Sequence, residues 1–288
     1  MSVTVIGDAF IDIIVPAYDI KPGETHHRKI ITLCGGTANV AVGIAKLGEK
    51  PKFIGKVGND LFGRYFKENL KKEGVQDLTF IDNEHPTGLC VSMAYKKGER
   101  TMVANRGAND YLKKEEIRNC IDEIIKSKIV YFSGYSLLSK ENAESILYAI
   151  KECHKQNCEV YFNPGAPNLI KEGFKKIIHH FVDILIMNME EAKNMTGKNS
   201  VEDIVKSLNN LVNISIITVS DGCIIQKGDK CIYIETEKLN VLDTTGAGDA
   251  FSAGFIVGRL KGEDEEECAR LANKVAAKFL REKMEILK

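Results

Sequence analysis

The chain has 288 residues, and 40 Lys plus Arg balance 40 Asp plus Glu, so the formal net charge is zero. That balance removes the bulk electrostatic pull toward nucleic acid or an anionic membrane. An apolar content of 44% is ordinary for a globular protein and argues against disorder.

Short β-rich apolar runs alternate with longer helical patterns. Val3 to Ile6 reads as a strand buried on both faces. Residues 13–33 alternate and carry turn signals. Thr37 to Leu47 is a small, apolar helix, Lys52 to Val57 a strand, and Asp60 to Glu73 an amphipathic helix stopped by Gly74. Residues 78–104 alternate again, with a turn at Lys97-Gly98. Strands follow at Ile129 to Ser133, Glu159 to Asn163, Ile184 to Met187 and Ile214 to Val219. Between them lie helices at Ser139 to Gln156, opened by a Ser cap, and Asn188 to Thr196, ended by Gly197. This rhythm predicts an α/β fold, a mostly parallel central sheet flanked by helices. The alternating stretches, about 13–33 and 78–104, read as a small β lid inserted into one domain over 1–288. The exposed edges of such a lid favour a homodimer.

The start, MSVTVIGD, has no basic region, and no apolar run is long enough to span a bilayer. The reading is cytoplasmic, with no membrane and no nucleic-acid partner. The 8 Cys are scattered, and Cys153 and Cys158 are too far apart for a C-x-x-C motif, so they read as free thiols. His26-His27 reads as surface histidine rather than a metal pair.

The strongest local signal is Val241-Leu242-Asp243-Thr244-Thr245-Gly246-Ala247-Gly248-Asp249-Ala250-Phe251. Asp-Thr-Thr reads as a turn, and Gly246 and Gly248 let backbone approach a ligand. Ala250 to Leu260 then reads as a helix with Asp249 in its first turn, where backbone N–H groups form an anion site. A carboxylate there repels phosphate, so it makes sense as a base taking a proton from an attacking hydroxyl while the N–H groups hold the developing charge. The alternative is a helix-capping Asp after a flexible loop. G-x-x-x-x-G-K-[ST] is absent, Phe251 stands where G-x-G-x-x-G needs its third Gly, and the protein-kinase signatures are missing.

DTTGAGDAF resembles the signature of the ribokinase-like (PfkB-type) carbohydrate kinases, and further motifs follow the family's order across the chain. Gly7 to Asp12 resembles its first strand and sugar-contacting Asp; Gly35-Gly36-Thr37-Ala38-Asn39 resembles its sugar motif; Gly55 to Gly63 resembles V-G-x-D-x-x-G. Asn163-Pro164-Gly165-Ala166-Pro167 is similar to N-P-A-P, Asp183 to Gly197 to the N-x-x-E stretch, and Ala272-Asn273 to the adenine-side helix.

The resemblance implies a ribokinase-like fold and a Mg²⁺-dependent kinase that moves a phosphoryl group from a nucleotide, usually ATP, to an alcohol of a sugar or sugar derivative. Asp249 is then the general base, with Gly246, Ala247 and Gly248 as the anion hole. Asp12, Gly36 and Asn39 hold sugar hydroxyls, and Arg106 stands where a substrate anion is met. Asn188, Thr218, Ser220, Gly222 and Asn273, with Gly246 and Gly248, line the nucleotide, and Glu191 organises Mg²⁺ through water. Each has a plainer reading. Asp12 suits a turn, Gly35-Gly36 a loop, Asn39 a cap, Arg106 a surface ion pair, and Asn188 with Glu191 a capping box.

The sequence also departs from the family. One residue rather than two separates Gly35-Gly36 from Ala38-Asn39. Phe10 stands where ribokinases carry a sugar-binding Asn, which points to a bulkier or less polar acceptor. The 218–222 loop looks one residue short, leaving ATP, ADP or another donor open. A Gly-bearing loop for a monovalent cation is missing after Ala277, leaving that cation open. The alternatives are a nucleoside kinase on the same fold and, less favoured, a non-catalytic sugar or nucleotide sensor.

Overall fold

A computed structural model describes residues 2–21, 23–95, 100–165, 172–239 and 244–287. The Lys97-Gly98 turn, Ala166, Pro167 and Val241 to Asp243 lie outside the described residues.

A nine-stranded sheet forms the centre, in the spatial order Lys230–Glu235, Gly222–Lys227, Ile214–Val219, Ile184–Asn188, Glu159–Asn163, Ile129–Ser133, Val3–Ile6, Lys52–Ile54 and Gln76–Asp77. Pairing is parallel from Gln76–Asp77 through Ile214–Val219 and antiparallel across the last two strands. Strand parity divides the core. Val3, Val5, Ile129, Tyr131, Ile184 and Ile186 join one apolar cluster, while Ile6, Val130, Phe132, Leu185 and Met187 join another. Each strand therefore feeds both faces, which is why these runs read as continuously apolar.

The first face is covered by three helices: Ala38–Lys46, Ala247–Lys261 and Glu265–Leu287. The Ala247–Lys261 helix is buried without a break from Ala250 to Gly258, and small residues let its neighbours come close. A methyl on Gly43 would lie 2.7 Å from the Ala253 Cβ, and one on Gly254 would lie 2.7 Å from the Ala272 Cα. The opposite face carries, among others, Lys114–Ile125, Lys140–Lys155, Met189–Thr196 and Val201–Asn209.

A separate four-stranded sheet runs in the order Ile31–Gly36, Ala9–Pro16, Gly88–Ala94 and Arg100–Asn105. Both alternating stretches thus contribute strands, with shifted limits. The first begins in the strand at Ala9. Of the second, residues 78–87 stay beside the main sheet, where Phe80–Asp82 pairs with Lys56–Gly58 and the Leu78 N–H donates to the Phe53 carbonyl at 3.0 Å. Those few residues are held by the edge of the parallel sheet, which a period-two pattern cannot distinguish from the inserted one.

The two sheets are joined by buried polar contacts. The Asp8 carboxylate accepts from Arg106 at 2.8 and 3.0 Å and from the Ser136 hydroxyl at 2.9 Å. The Asn109 side chain accepts from the Ala9 N–H at 2.7 Å and donates to the Ala9 carbonyl at 2.9 Å, acting as one more rung of β pairing. Its own carbonyl accepts from the Asn142 side chain. All eight cysteines are free, and among the described residues no helix is long and apolar enough to cross a membrane.

Removing the Asn109 amide leaves buried backbone groups of Ala9 unpaired. Asn109→Ala is expected to destabilise the protein by about 2–3 kcal/mol, read as a lower urea midpoint with an unchanged slope. A shift near zero would show that water replaces the amide there.

Candidate active site

Gly246 opens the Ala247–Lys261 helix with φ +85, a conformation that L side chains avoid, and Phe279 fills the space where its side chain would stand. The turn is closed by the Ala247 N–H donating to the Thr244 carbonyl at 3.1 Å. The first-turn N–H groups of such a helix emerge from its N-terminus and favour an anion there. Asp249 lies in this turn without capping it. The cap residue is Gly246, and one Asp249 carboxylate oxygen accepts from the Asn39 side-chain amide at 3.2 Å.

Asp249 is part of the wall of two cavities. The larger, about 560 Å³, lies over the carboxyl ends of the main-sheet strands and takes in Gly246, Ala247, Gly248, Asn188, Glu191, Thr218, Ser220, Gly222 and Asn273. The smaller, about 200 Å³, is bounded by Asn39, Gly246 and Asp249 together with Cys34, Tyr65 and Phe279. The crevice outside the carboxyl ends of parallel strands is the usual ligand site of such sheets.

The site's carboxylates are electrostatically strained. Burial pushes Asp249 up to about 6; the Asn39 bond opposes this and the Asp12 charge adds to it. Burial pushes Asp12 up to about 6, with Lys283 pulling the other way. Burial also raises Glu191 to about 7, against the backbone hydrogen bond at Asn188 and with the Asp249 charge adding to the shift. Carboxyl groups poised near neutrality in a cleft suit proton transfer or cation binding.

The remaining sequence candidates sit as follows. Asn188 and Glu191 form a reciprocal capping box, 2.8 and 3.0 Å, and both line the larger cavity, so the capping and site readings coexist. Asn273 is buried and donates to the Ile234 carbonyl at 3.3 Å, tying the last helix to the edge hairpin. Asp12 lies beside Gly35, where any Cβ would come within 2.0 Å of its carboxylate. Gly36, at φ +71, lies under the Asp8 carbonyl. Neither is in the wall of either cavity. Arg106 is held in ion pairs, its Nε to Asp110 at 2.6 Å and its outer nitrogens to Asp8. Among the described residues no group of three His, Cys, Asp or Glu could hold a metal ion, His26-His27 included.

Arg100 and Tyr135 belong to no motif of the sequence, and Asn163 lies in the stretch similar to N-P-A-P without an assigned role. Arg100 begins a strand of the second sheet and reaches the Thr245 hydroxyl. Tyr135 follows the Ile129–Ser133 strand. Asn163, at the end of its strand, donates to the Ile186 carbonyl at 2.9 Å. Position at a strand's carboxyl end is the one available signal for Tyr135; Asn163 has that and its motif, and Arg100 has none.

A family model described as pfkB family carbohydrate kinase matches residues 1–286. An uncharacterized sugar kinase of Archaeoglobus fulgidus is 32% identical over 244 residues, 83% of this chain and 94% of that protein. Ribokinase of Bacillus subtilis is 28% identical over 281 residues, 96% of this chain and 92% of that protein. The crystal structure of adenosine kinase from Sinorhizobium meliloti superposes with a TM-score of 0.88 at 26% identity, covering 96% of this chain and 92% of that one. The ordered motifs, the ribokinase-like sheet and the match over nearly the whole length agree: the chain belongs to the pfkB family of carbohydrate kinases.

Proposed function

We propose that the protein transfers the γ-phosphoryl group of ATP to a hydroxyl of a sugar or sugar derivative, with Asp249 as general base. The observation that carries this reading is Asp249 itself, a carboxylate beside a helix N-terminus and in the wall of two cavities. A site built only to bind phosphate gains nothing from that charge. The nucleotide occupies the larger cavity, between Asn188, Thr218 and Asn273, with its phosphates toward Gly246 and Gly248. The acceptor approaches from the side of Asp12, Gly36 and Asn39. Its oxygen attacks the γ-phosphorus, the bond to the β-phosphate oxygen breaks, and the hydroxyl proton passes to Asp249. The products are a phosphate ester and ADP. The N–H groups of Gly246, Ala247 and Gly248 receive the charge on the transferring phosphoryl.

Mg²⁺ fits this donor set in one way. Glu191 and the Asn163 and Asn188 amides supply hard oxygens but no closed cage, which suits an ion carried on phosphates and reached through water. Bound there, Mg²⁺ would offset phosphate charge, and Glu191 would be the residue that holds it through water. A nucleoside acceptor is the second reading. The Phe10 ring packs against Gly36 and Gly88 and offers an apolar face beside the acceptor groups. The second sheet acts as a lid, and its exposed Met102 and Val103 suit pairing with another copy, seen as a dimer mass in light scattering.

Asp249→Asn keeps shape and removes the proton acceptor. Turnover on a panel of sugars and nucleosides should fall about 10²–10⁴-fold, with nucleotide affinity held. Turnover within a few-fold of the unsubstituted chain would sink the mechanism. Since the base acts as carboxylate, kcat should decline as pH drops through about 6.

Stability has its own sign. The fold raises the Asp249 pKa, so the folded state binds more protons than the unfolded state between the ordinary value of 3.8 and about 6. The cost of holding the charge is full above that window and is relieved as pH falls through it. Asp249→Asn should therefore raise Tm above about pH 6, and the gain should shrink toward pH 4. A pH-independent change would show that charge is not its cause.

Glu191→Gln should raise the Mg²⁺ concentration for half-maximal rate while leaving acceptor binding in place. In the unsubstituted chain that concentration should climb as pH falls through about 7, because protons compete for Glu191. An identical metal response in the variant would leave Glu191 with its capping role alone.

A further inference from the structure

The Glu265–Leu287 helix does more than cover the core. Its residues Phe279 and Lys283, one turn apart on one face, both reach the loop that opens the Ala247–Lys261 helix. The Phe279 ring comes within 2.8 Å of where a Gly246 Cβ would stand. The Lys283 ammonium donates to the Thr245 carbonyl at 2.9 Å. Arg100, from the second sheet, holds the hydroxyl of the same Thr245.

The Thr245 carbonyl belongs to the peptide group whose N–H is that of Gly246. A trans peptide points its C=O and N–H in opposite directions, so fixing the oxygen fixes the N–H. Gly246, at φ +85, has no side chain to resist rotation of that peptide. A flip would turn a carbonyl oxygen toward a bound phosphoryl group, replacing a donor by a repelling dipole. Lys283 also lies near enough to Asp12 to favour its charged form.

We propose that Lys283 is a positioning residue of the phosphoryl-transfer site, its ammonium locking the Thr245–Gly246 peptide so that the Gly246 N–H faces the transferring phosphoryl. This rests on the reading of the site as a phosphotransferase. Lys283 need not touch substrate. It holds the donor in place, and its charge adds to the positive end of the helix on the side where negative charge gathers. Phe279 backs the same loop with an apolar wall.

The test uses Lys283→Ala and Lys283→Arg in the full chain. It measures ATP hydrolysis without acceptor, transfer to the sugar and nucleoside panel, ATP affinity and Tm. In Lys283→Ala, kcat should fall about 10- to 100-fold, less than or comparable to losing an oxyanion donor outright, with ATP affinity within a few-fold and Tm nearly unchanged. Lys283→Arg should recover most of the rate, and methylammonium chloride should partly restore Lys283→Ala where choline chloride at equal ionic strength does not. Wild-type transfer together with an undiminished kcat in Lys283→Ala overturns the positioning role and leaves the kinase reading standing. So does a loss that tracks a fall in Tm and is recovered by neither Arg nor methylammonium. A wild-type chain that transfers phosphate to no acceptor and does not hydrolyse ATP overturns both.

Discussion

The Ala247–Lys261 helix, buried without a break from Ala250 to Gly258, is the constraint on which the site depends. An apolar helix with no polar face has to be enclosed on all sides. The sheet, the Ala38–Lys46 helix and the Glu265–Leu287 helix do so, and Gly43, Gly254 and Gly258 let the backbones approach closely. Because the helix body cannot move without opening the core, its first turn is fixed relative to the strand ends. Gly246, Gly248 and Asp249 inherit that rigidity. Asn39 then comes from one flanking helix and Lys283 from the other, so the elements that bury the helix also supply the groups that tune its end.

A second constraint couples the inserted sheet to this frame. Its strand Ala9–Pro16 leaves the central strand Val3–Ile6 after only Gly7 and Asp8. At that junction Asp8, Arg106, Ser136 and Asn109 satisfy one another and the Ala9 backbone. Buried polar groups cost free energy unless paired, and here the pairing is nearly complete. The result fixes the start of the strand that carries Phe10 and Asp12 beside the end of Val3–Ile6, while its far end and the Arg100–Asn105 strand remain more exposed. Such a sheet is anchored at its base and more exposed at its rim.

The chain as a whole is neutral, but the site gathers carboxylates. Asp12, Asp249 and Glu191 are each raised by burial, and Asp249 feels Asp12 while Glu191 feels Asp249. Like charges brought together in a poorly solvated cleft store repulsion. The nearby cations Lys283 and Arg100 approach the same loop from different elements. Under the proposed function, a nucleotide's phosphates and their metal ion would enter between these groups.

Much of this was legible in the sequence. Strands buried on both faces announce themselves as unbroken Val, Ile and Phe runs, and Val3–Ile6, Ile129–Ser133, Glu159–Asn163 and Ile214–Val219 fall where those runs lie. The GAGD loop, the Asn188 capping box and the Gly36 turn are local, because glycine and cap chemistry act within a few residues. Non-local facts were hidden. Residues 78–87 follow the main-sheet edge because Phe53 and Gly55 offer them free pairing groups, which periodicity does not encode. The antiparallel strands Gly222–Lys227 and Lys230–Glu235 and the helices Lys114–Ile125 and Val201–Asn209 had weaker patterns and were not singled out. The sequence by itself determined the α/β alternation, through runs of apolar residues, and the glycine-hinged loop with a carboxylate beside it, which is written within one turn of chain. Only the tertiary structure decided that Arg106 spends its guanidinium on Asp8 and Asp110, and that Arg100 and Lys283 converge on Thr245. Those partners lie 145 and 38 residues from Thr245, and the packing of buried surfaces, not the chain's local preferences, brings them together.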